Sequence, residues 1–136
     1  HMSFVPTQLI RLLEHRDGIQ VPASFKCGLI GGAHASPDLI QQGLAAGWPL
    51  ALTYGMTEMT SQVATAVPSE VEQKPGSVGR TLMGTKIKID SDGQILVQGP
   101  TLAPGYVSLT TPLADTEGWY HTGDLGHFDE DGDLWV

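Results

Sequence analysis

The sequence has little of what several classes of protein require. Its 136 residues include one cysteine, seven lysine or arginine residues against fifteen aspartate or glutamate residues, and no apolar run long enough to cross a bilayer. Cys27 therefore has no internal disulfide partner, and a lone cysteine in an apolar segment suits a small buried side chain in a reducing cytoplasm, where we expect the protein. The net charge of −8 disfavours nucleic acid and membrane as partners.

Familiar signatures of several sites are also missing. The histidines share no metal-ligand spacing, which together with the single cysteine disfavours zinc. Gly31-Gly32-Ala33 lacks the spacing of a dinucleotide fingerprint and is not followed by the Lys-Ser/Thr of a phosphate loop. The acidic run at residues 129–133 has its glycine too early for a twelve-residue calcium loop, so we favour a solvated turn there. A serine hydrolase is disfavoured because no Gly-x-Ser-x-Gly elbow occurs.

Residues 3–66 have the pattern of a βαβ unit, and His1-Met2 are typical of the remnant of an expression tag. Apolar residues at helical spacing follow Pro6, and Ser36 can cap a second helix. The predicted elements are a helix over residues 6–15 that ends before Gly18, a strand over 26–30, a helix from Pro37 to about Ala46, and a strand over 50–53. Strand, helix and strand within about thirty residues predict parallel strands joined by a right-handed crossover.

Residues 67–136 are rich in turns and alternate between apolar and polar side chains. Residues 86–89 and 94–97 predict a hairpin around the turn at 90–93. Further strand candidates are residues 119–121, 125–128 and 134–136. We therefore predict an α/β fold of a single domain, in which the parallel βαβ unit is followed by a small antiparallel sheet or partial barrel without a long helix.

The six residues 53–58, Thr-Tyr-Gly-Met-Thr-Glu, place four chemical groups at the end of a predicted buried strand. An aromatic ring, a backbone without a side chain, a hydroxyl and a carboxylate follow one another, and such strands often present ligand-binding groups in the loop beyond their carboxyl end. Gly55 would also let a ligand approach the backbone. A plain structural turn is the alternative.

A second polar segment, residues 119–124, ends in Asp124. A carboxylate held in a loop can accept two hydrogen bonds from a vicinal diol such as a ribose, and the alternative is a hairpin turn with a capping aspartate. The loop Gly31-Gly32-Ala33 leaves a strand and precedes a helix, as many phosphate-binding and base-binding loops do, but is weak evidence by itself.

Three motifs in order resemble those of the adenylate-forming superfamily. They are Tyr-Gly-Met-Thr-Glu at residues 54–58, Gly-Ser-Val-Gly-Arg at 76–80 and Gly-Trp-Tyr-His-Thr-Gly-Asp-Leu-Gly at 118–126. The resemblance covers residues 4–136, and residues 4–9 and 56–62 are most similar to the o-succinylbenzoate:CoA ligases. It implies an enzyme, an acid-thiol ligase of menaquinone or phylloquinone synthesis, whose substrates are a carboxylic acid, ATP with Mg²⁺, and CoA.

The resemblance also implies roles for individual residues. Tyr54 and Gly55 would border the adenine, Asp124 would bind both ribose hydroxyls, and Thr57 and Glu58 would be catalytic. In this assignment the Thr57 hydroxyl bonds the α-phosphate, and the Glu58 carboxylate holds Mg²⁺ directly or through water. The loop Gly31-Gly32-Ala33 would flank the adenine and acyl pocket.

Ser61 and Gln62 are predicted to help select the acid. They lie three and four residues beyond Glu58, which is within about 10–14 Å even for an extended chain and matches the length of an acyl group. A hydroxyl and an amide can donate to the free carboxylate of a dicarboxylic substrate without adding a cation. The alternative is that both residues cap or decorate a following helix.

Several family features lie outside this sequence. They are a phosphate loop and a substrate-side histidine upstream of Phe4, and a Gly-Arg hinge and a lysine-bearing domain beyond Val136. We therefore expect an inactive middle piece of a ligase, whose exposed surfaces favour self-association. The alternatives are another aryl or fatty acyl-CoA ligase, and a non-catalytic acidic binding module with the same fold.

Overall fold

The computed structural model describes residues 1–15, 20–107 and 111–136. Gly18, before which the first helix was expected to end, lies outside these ranges. Within them, no helix combines the length and the apolar character that a membrane crossing requires. The elements in chain order are β1 (Met2–Phe4), α1 (Pro6–His15), β2 (Gly28–Ile30), α2 (Pro37–Ala45), β3 (Leu50–Gly55), a 3₁₀ turn (Thr57–Met59), β4 (Gln62–Ala66), α3 (Pro68–Gln73), β5 (Arg80–Thr81), β6 (Lys86–Ile89), β7 (Gln94–Gln98), β8 (Tyr120–Leu125), β9 (His127–Phe128) and β10 (Leu134–Trp135).

The largest sheet has five strands in the order β1-β2-β3-β4-β5. Strands β1, β2 and β3 are parallel, with Gly28 opposite both Met2 and Leu50. The predicted βαβ unit is confirmed as β2-α2-β3. Strands β4 and β5 extend the sheet in the antiparallel direction, and these two strands and β1 were not predicted.

Helix α2 forms for the local reasons that the sequence indicates. The Ser36 hydroxyl accepts a hydrogen bond from the Leu39 backbone N–H at 3.3 Å, and Pro37 occupies the first turn. Gly47 follows the helix with a φ of 78°, which glycine adopts without strain. The three helices pack with the parallel strands and the end of β4 around a buried core: Phe4, Leu9, Ile30, Leu39, Ile40, Trp48, Leu50, Leu52, Ala66 and Val71.

The later part of the chain forms a three-stranded antiparallel sheet, β6-β7-β8, and a separate pair of strands, β9 and β10. The predicted hairpin is confirmed, with Ile87 opposite Val97. Strand β8 is longer than predicted and extends to Leu125. A second core joins this part to strand β4 and the 3₁₀ turn: Met59, Val63, Ala64, Ile95, Val97 and Leu134. Tyr54 and Met56 pack against this core, so the later part of the chain contributes to the surroundings of residues 54–58.

Candidate functional site

A cavity of about 310 Å³ opens where the parallel strands β2 and β3 reach their carboxyl ends. Adjacent carboxyl ends of parallel strands are a common position for ligand sites in α/β sheets. The lining residues are Ile30, Gly32, Ala33, His34, Ala35, Leu52, Thr53, Tyr54, Gly55, Gly76, Val78, Asp124 and Val136. Five of the residues proposed for nucleotide binding are therefore brought together at this cavity: Gly32, Ala33, Tyr54, Gly55 and Asp124.

Tyr54 and Asp124 are bonded to each other at the cavity wall. The Tyr54 hydroxyl donates a hydrogen bond to Asp124 Oδ2 at 2.5 Å. Burial of the ring and this bond to a carboxylate raise the pKa of Tyr54, so the phenol stays a neutral donor. The backbone at Asp124 is also fixed, because its N–H donates to the Thr122 hydroxyl at 3.1 Å and that hydroxyl donates to the Ile95 carbonyl at 2.8 Å.

The close approach at Gly55 comes from the protein's own chain. A Cβ atom at this position would lie 2.3 Å from the Ser61 carbonyl oxygen. The Met56 N–H donates to the same carbonyl at 3.0 Å, and the pairing of β3 with β4 shifts register between Tyr54 and Gly55. Glycine is therefore required by this crossing, whether or not a ligand also approaches the backbone.

Gly31 lies beside the cavity and is not among its lining residues. A Cβ atom there would lie 2.6 Å from Thr53 Cγ2, and the Gly31 N–H donates to the Phe4 carbonyl at 3.2 Å. Thr53 is also committed internally, since its hydroxyl donates to the Ala64 carbonyl at 2.9 Å. In the loop between β2 and α2, Gly32 and Ala33 therefore line the cavity and Gly31 does not.

Thr57 and Glu58 lie in the 3₁₀ turn after β3, outside the cavity lining. One oxygen of the Glu58 carboxylate, Oε1, accepts a hydrogen bond from the Tyr106 hydroxyl, and this bond lowers the pKa of Glu58. The Glu58 carbonyl accepts a second bond, from the Ala103 N–H at 2.8 Å. Sequence analysis missed Tyr106, because 48 residues separate it from Glu58 and no local pattern links them.

The turn carries an oxygen ligand that suits Mg²⁺. Glu58 is held as an anion, and a carboxylate is a hard oxygen ligand of the kind that Mg²⁺ prefers. The Tyr106 bond uses Oε1, and Thr57 supplies a hydroxyl on the exposed side of the same turn. Glu58 therefore fits the role of a ligand to Mg²⁺, and Thr57 fits that of a donor to a phosphate oxygen.

Ser61 and Gln62 lie at the β3-β4 connection and do not line the cavity. The Ser61 side chain is exposed, and Gln62 Oε1 accepts a hydrogen bond from the Thr65 hydroxyl at 3.3 Å. Ser61 directly precedes strand β4 and Gln62 is the first residue of that strand, so the alternative that they cap or decorate a following helix is wrong. Their part in selecting the acid stays a prediction.

The acidic run at residues 129–133 is organised around a lysine. Lys74 Nζ lies 2.7 Å from Asp129 Oδ2, 2.7 Å from Asp131 Oδ2 and 2.6 Å from Asp133 Oδ2. The expectation of a solvated turn is wrong for two of these residues, because the side chains of Asp129 and Asp133 are 24% and 12% exposed. An ammonium group takes the position in which a cation would otherwise neutralise three carboxylates.

The lysine cluster lies where two segments of the chain meet, residues 74–78 and residues 129–136, and both segments contribute to the cavity wall. The Val78 N–H donates to the Leu134 carbonyl at 2.9 Å, and the Ser77 hydroxyl donates to the same carbonyl at 3.1 Å. Gly76 and Val78 from the first segment and Val136 from the second line the cavity. The Gly-Ser-Val-Gly motif at residues 76–79 therefore builds part of the wall.

His34 is a further lining residue that sequence analysis considered only as a metal ligand. Its position directly after Gly31-Gly32-Ala33 was the available signal. The described lining contains one carboxylate, Asp124, and neither lysine nor arginine. The cavity as described can thus bind a base and a diol, whereas neutralising a triphosphate requires cations from elsewhere.

Comparison with known proteins identifies a family. The model of the family described as AMP-binding enzyme matches residues 1–107. The chain is 38% identical over 146 residues to the 2-succinylbenzoate--CoA ligase of Geobacillus sp. (strain WCH70), and the alignment covers 99% of this chain and 30% of that relative.

Solved structures give the same result. The o-succinylbenzoate CoA synthetase of Bacillus subtilis in complex with the acyl-adenylate intermediate OSB-AMP matches with a TM-score of 0.87, and the same enzyme in complex with ATP and magnesium ion matches with a TM-score of 0.84. Each is 36% identical over 99% of this chain and 30% of the solved chain. The chain thus spans about 30% of the length of these relatives.

Proposed function

The chain belongs to the family of AMP-binding enzymes, and on that premise we propose that it is a segment of an ATP-dependent acid:CoA ligase. The observation that carries this proposal is the Tyr54–Asp124 pair at the wall of the cavity. It places an aromatic ring and a fixed carboxylate together at the carboxyl ends of parallel strands. Adenine and ribose require these two groups.

The residues that line the cavity bind the nucleoside. Tyr54 lies against the adenine, with Gly55, Gly32 and Ala33 beside it and Gly31 behind this wall. Asp124 accepts hydrogen bonds from both ribose hydroxyls, which as a vicinal pair suit two carboxylate oxygens. Tyr54 holds this carboxylate in place through its neutral hydroxyl, so the negative charge of Asp124 is retained for the diol.

The phosphates are bound at the 3₁₀ turn. Thr57 donates its hydroxyl to the α-phosphate, and Glu58 holds Mg²⁺ directly or through water. Bound Mg²⁺ supplies positive charge where a carboxylate of the substrate acid meets the phosphate. Because two anions meet there, Thr57 and Glu58 act by positioning the reactants and not as nucleophiles.

The acid is o-succinylbenzoate, and the product acyl-CoA belongs to menaquinone or phylloquinone synthesis. The relatives described above, which are named for this acid, support its identity. Ser61 and Gln62 bind the carboxylate of the acid that is not activated. The alternative within the same chemistry is another aryl or fatty acid. Such an acid would differ from o-succinylbenzoate in its contacts with Ser61 and Gln62.

Catalysis needs more than this segment. The described cavity contains no lysine or arginine to neutralise the leaving phosphates, so the 136-residue chain should bind nucleotide without forming acyl-CoA. A non-catalytic acidic binding module would behave in the same way as an isolated chain. Acyl-CoA formation by the full-length protein, assayed against a panel of carboxylic acids with ATP and CoA, separates the two.

The direct test is calorimetric titration of the 136-residue chain with AMP. Asp124→Ala should weaken binding at least about tenfold, because two ribose hydroxyls lose a charged partner. Asp92→Ala is the matched control, because it removes the same charge from the β6-β7 turn at a residue that does not line the cavity. Equal AMP affinities of Asp124→Ala and the wild-type chain would remove Asp124 from the site.

A further inference from the structure

We propose that Tyr106 is a positioning residue that holds the Glu58 carboxylate in the orientation in which it takes the divalent cation of a bound nucleotide. This inference rests on the proposed function, which assigns the cation to Glu58. Tyr106 lies in none of the motifs that identify the family resemblance. It is singled out by its hydrogen bond to Glu58 Oε1 across 48 residues of sequence.

Tyr106 belongs to a segment, residues 101–106, that lies across the 3₁₀ turn, and we call this segment the strap. The Ala103 N–H donates to the Glu58 carbonyl at 2.8 Å, and the Thr60 hydroxyl donates to the Thr101 carbonyl at 2.8 Å. The Tyr106 hydroxyl adds the third bond, to the side chain itself. The first bond therefore holds the backbone of the turn, the second holds the residue after it, and Tyr106 holds the carboxylate.

The chemistry of the donor suits this task. A glutamate side chain has several rotatable bonds, and binding a cation with a freely rotating carboxylate costs more ordering than binding it with a fixed one. A phenol fixes one oxygen without cancelling the charge, whereas a lysine or arginine would compete with the cation. The Tyr106 bond occupies Oε1 and leaves the negative charge of the carboxylate for a metal ion or its water.

Tyr106 is itself supported from the second sheet. Its hydroxyl also interacts with the hydroxyl of Tyr120, the first residue of β8. Strand β8 also carries Asp124, so one strand supports both the carboxylate proposed for the ribose and the carboxylate proposed for the metal.

The experiment separates metal-dependent from metal-independent binding. The 136-residue chain is titrated calorimetrically with ATP in the presence of Mg²⁺, with ATP in EDTA, and with AMP in EDTA. Tyr106→Phe should weaken Mg²⁺-dependent ATP binding about fivefold to tenfold and leave AMP binding within about twofold of wild type. Because Tyr106 is 48% exposed, replacing it with phenylalanine should leave the fold intact, which circular dichroism and the melting temperature check.

Two further variants make the result specific. Thr60→Ala breaks one strap bond but keeps the Tyr106–Glu58 pair, so it should bind Mg²⁺ and ATP within about twofold of wild type. Glu58→Gln should lose the Mg²⁺ dependence, and adding Tyr106→Phe to Glu58→Gln should then have no further effect, as expected for two residues acting through one interaction.

The outcomes distinguish failure of the inference from failure of the proposed function. If Glu58→Gln loses the Mg²⁺ dependence but Tyr106→Phe behaves like wild type, Tyr106 has no positioning role. Equal losses in Thr60→Ala and Tyr106→Phe would overturn it as well, because they would assign the effect to packing of the strap. If Mg²⁺ does not strengthen ATP binding to the wild-type chain, or strengthens it equally in Glu58→Gln, then Glu58 does not hold the metal. The metal assignment of the proposed function then fails, and this inference fails with it.

Discussion

Two groups of carboxylates in this molecule are bonded by different kinds of donor. Asp124 and Glu58 each accept a hydrogen bond from a tyrosine, Tyr54 and Tyr106 respectively. The second group, Asp129, Asp131 and Asp133, shares the ammonium of Lys74. A phenol orients a carboxylate and leaves its charge in place, whereas an ammonium offsets one of the three negative charges around it. We therefore propose that the kind of donor distinguishes the acidic groups that bind a ligand from those that stabilise the fold.

The largest effect should come from removing the cation of the second group. Lys74→Met leaves the three carboxylates with Arg80, a more exposed cation whose Nε lies 3.6 Å from Asp133 Oδ1, so we expect the melting temperature to fall by at least about 5 °C. Lys88→Met is the matched control, because Lys88 lies over Trp119 and 3.8 Å from a single carboxylate, Glu117, at a more exposed position. A Lys74→Met chain that melts with the Lys88→Met chain would show that the cluster contributes no more than an ordinary surface pair.

Lowering the pH should reduce the stability that the Lys74 cluster contributes. The hydrogen bond from Lys74 is the largest cause that holds the pKa of Asp129 well below its ordinary value. The unfolded chain therefore takes up a proton as the pH falls below about 5 while the folded chain does not, and the stability from this pair is lost as the pH falls through the lowered pKa. Urea unfolding between pH 5 and pH 2 should show a steeper loss for wild type than for Lys74→Met. Parallel curves would contradict this assignment.

Removing the hydroxyl of Tyr54 should instead affect ligand binding. Tyr54→Phe keeps the ring at the cavity but removes the bond to Asp124, so AMP affinity should fall about fivefold, whereas the melting temperature should change less than in Lys74→Met. Calorimetry and thermal unfolding of the same preparation measure both quantities. If Tyr54→Phe lowers the melting temperature as much as Lys74→Met does, the distinction between the two groups of carboxylates is wrong.

The smallest effect concerns a carboxylate that the substrate brings. Ser61 and Gln62 are neutral donors, and replacing both by alanine in the full-length protein should raise KM for o-succinylbenzoate about threefold to fivefold while KM for ATP changes less than twofold. Ser69→Ala, at an exposed position of α3, serves as the control for a lost hydroxyl. Unchanged KM for the acid in the double variant would exclude Ser61 and Gln62 from its selection.

The sequence predicts those parts of the fold that depend on neighbouring residues. The cap at Ser36, the end of α2 before Gly47 and the hairpin around residues 90–93 are set by local geometry, and all three are confirmed. Strand β4 was missed because its sequence, Gln-Val-Ala-Thr-Ala, is short and has no strict alternation. It is a strand because Ala64 and Ala66 pack against residues distant in sequence, and no local pattern contains that information.

The candidate site divides in the same way. The motifs indicate Tyr54, Gly55 and Asp124, and the structure places these residues around one cavity, although their roles stay predictions. The partners of two other carboxylates could not be found from sequence, because Lys74 meets Asp133 across 59 residues and Tyr106 meets Glu58 across 48. A motif can indicate both members of a pair, as with Tyr54 and Asp124, but only the tertiary fold shows that the two side chains meet.

The bond between Tyr54 and Asp124 spans 70 residues of sequence, which has a consequence for the order of folding. Hairpins such as β6-β7 close short loops and can form early, but a contact of this length requires the loop-closure entropy of half the chain to be overcome first. The cavity is therefore complete only in the fully folded molecule. A nucleotide that binds there should raise the free energy of global unfolding in proportion to RT ln(1 + [L]/Kd), and it should slow unfolding of the whole chain more than it speeds folding.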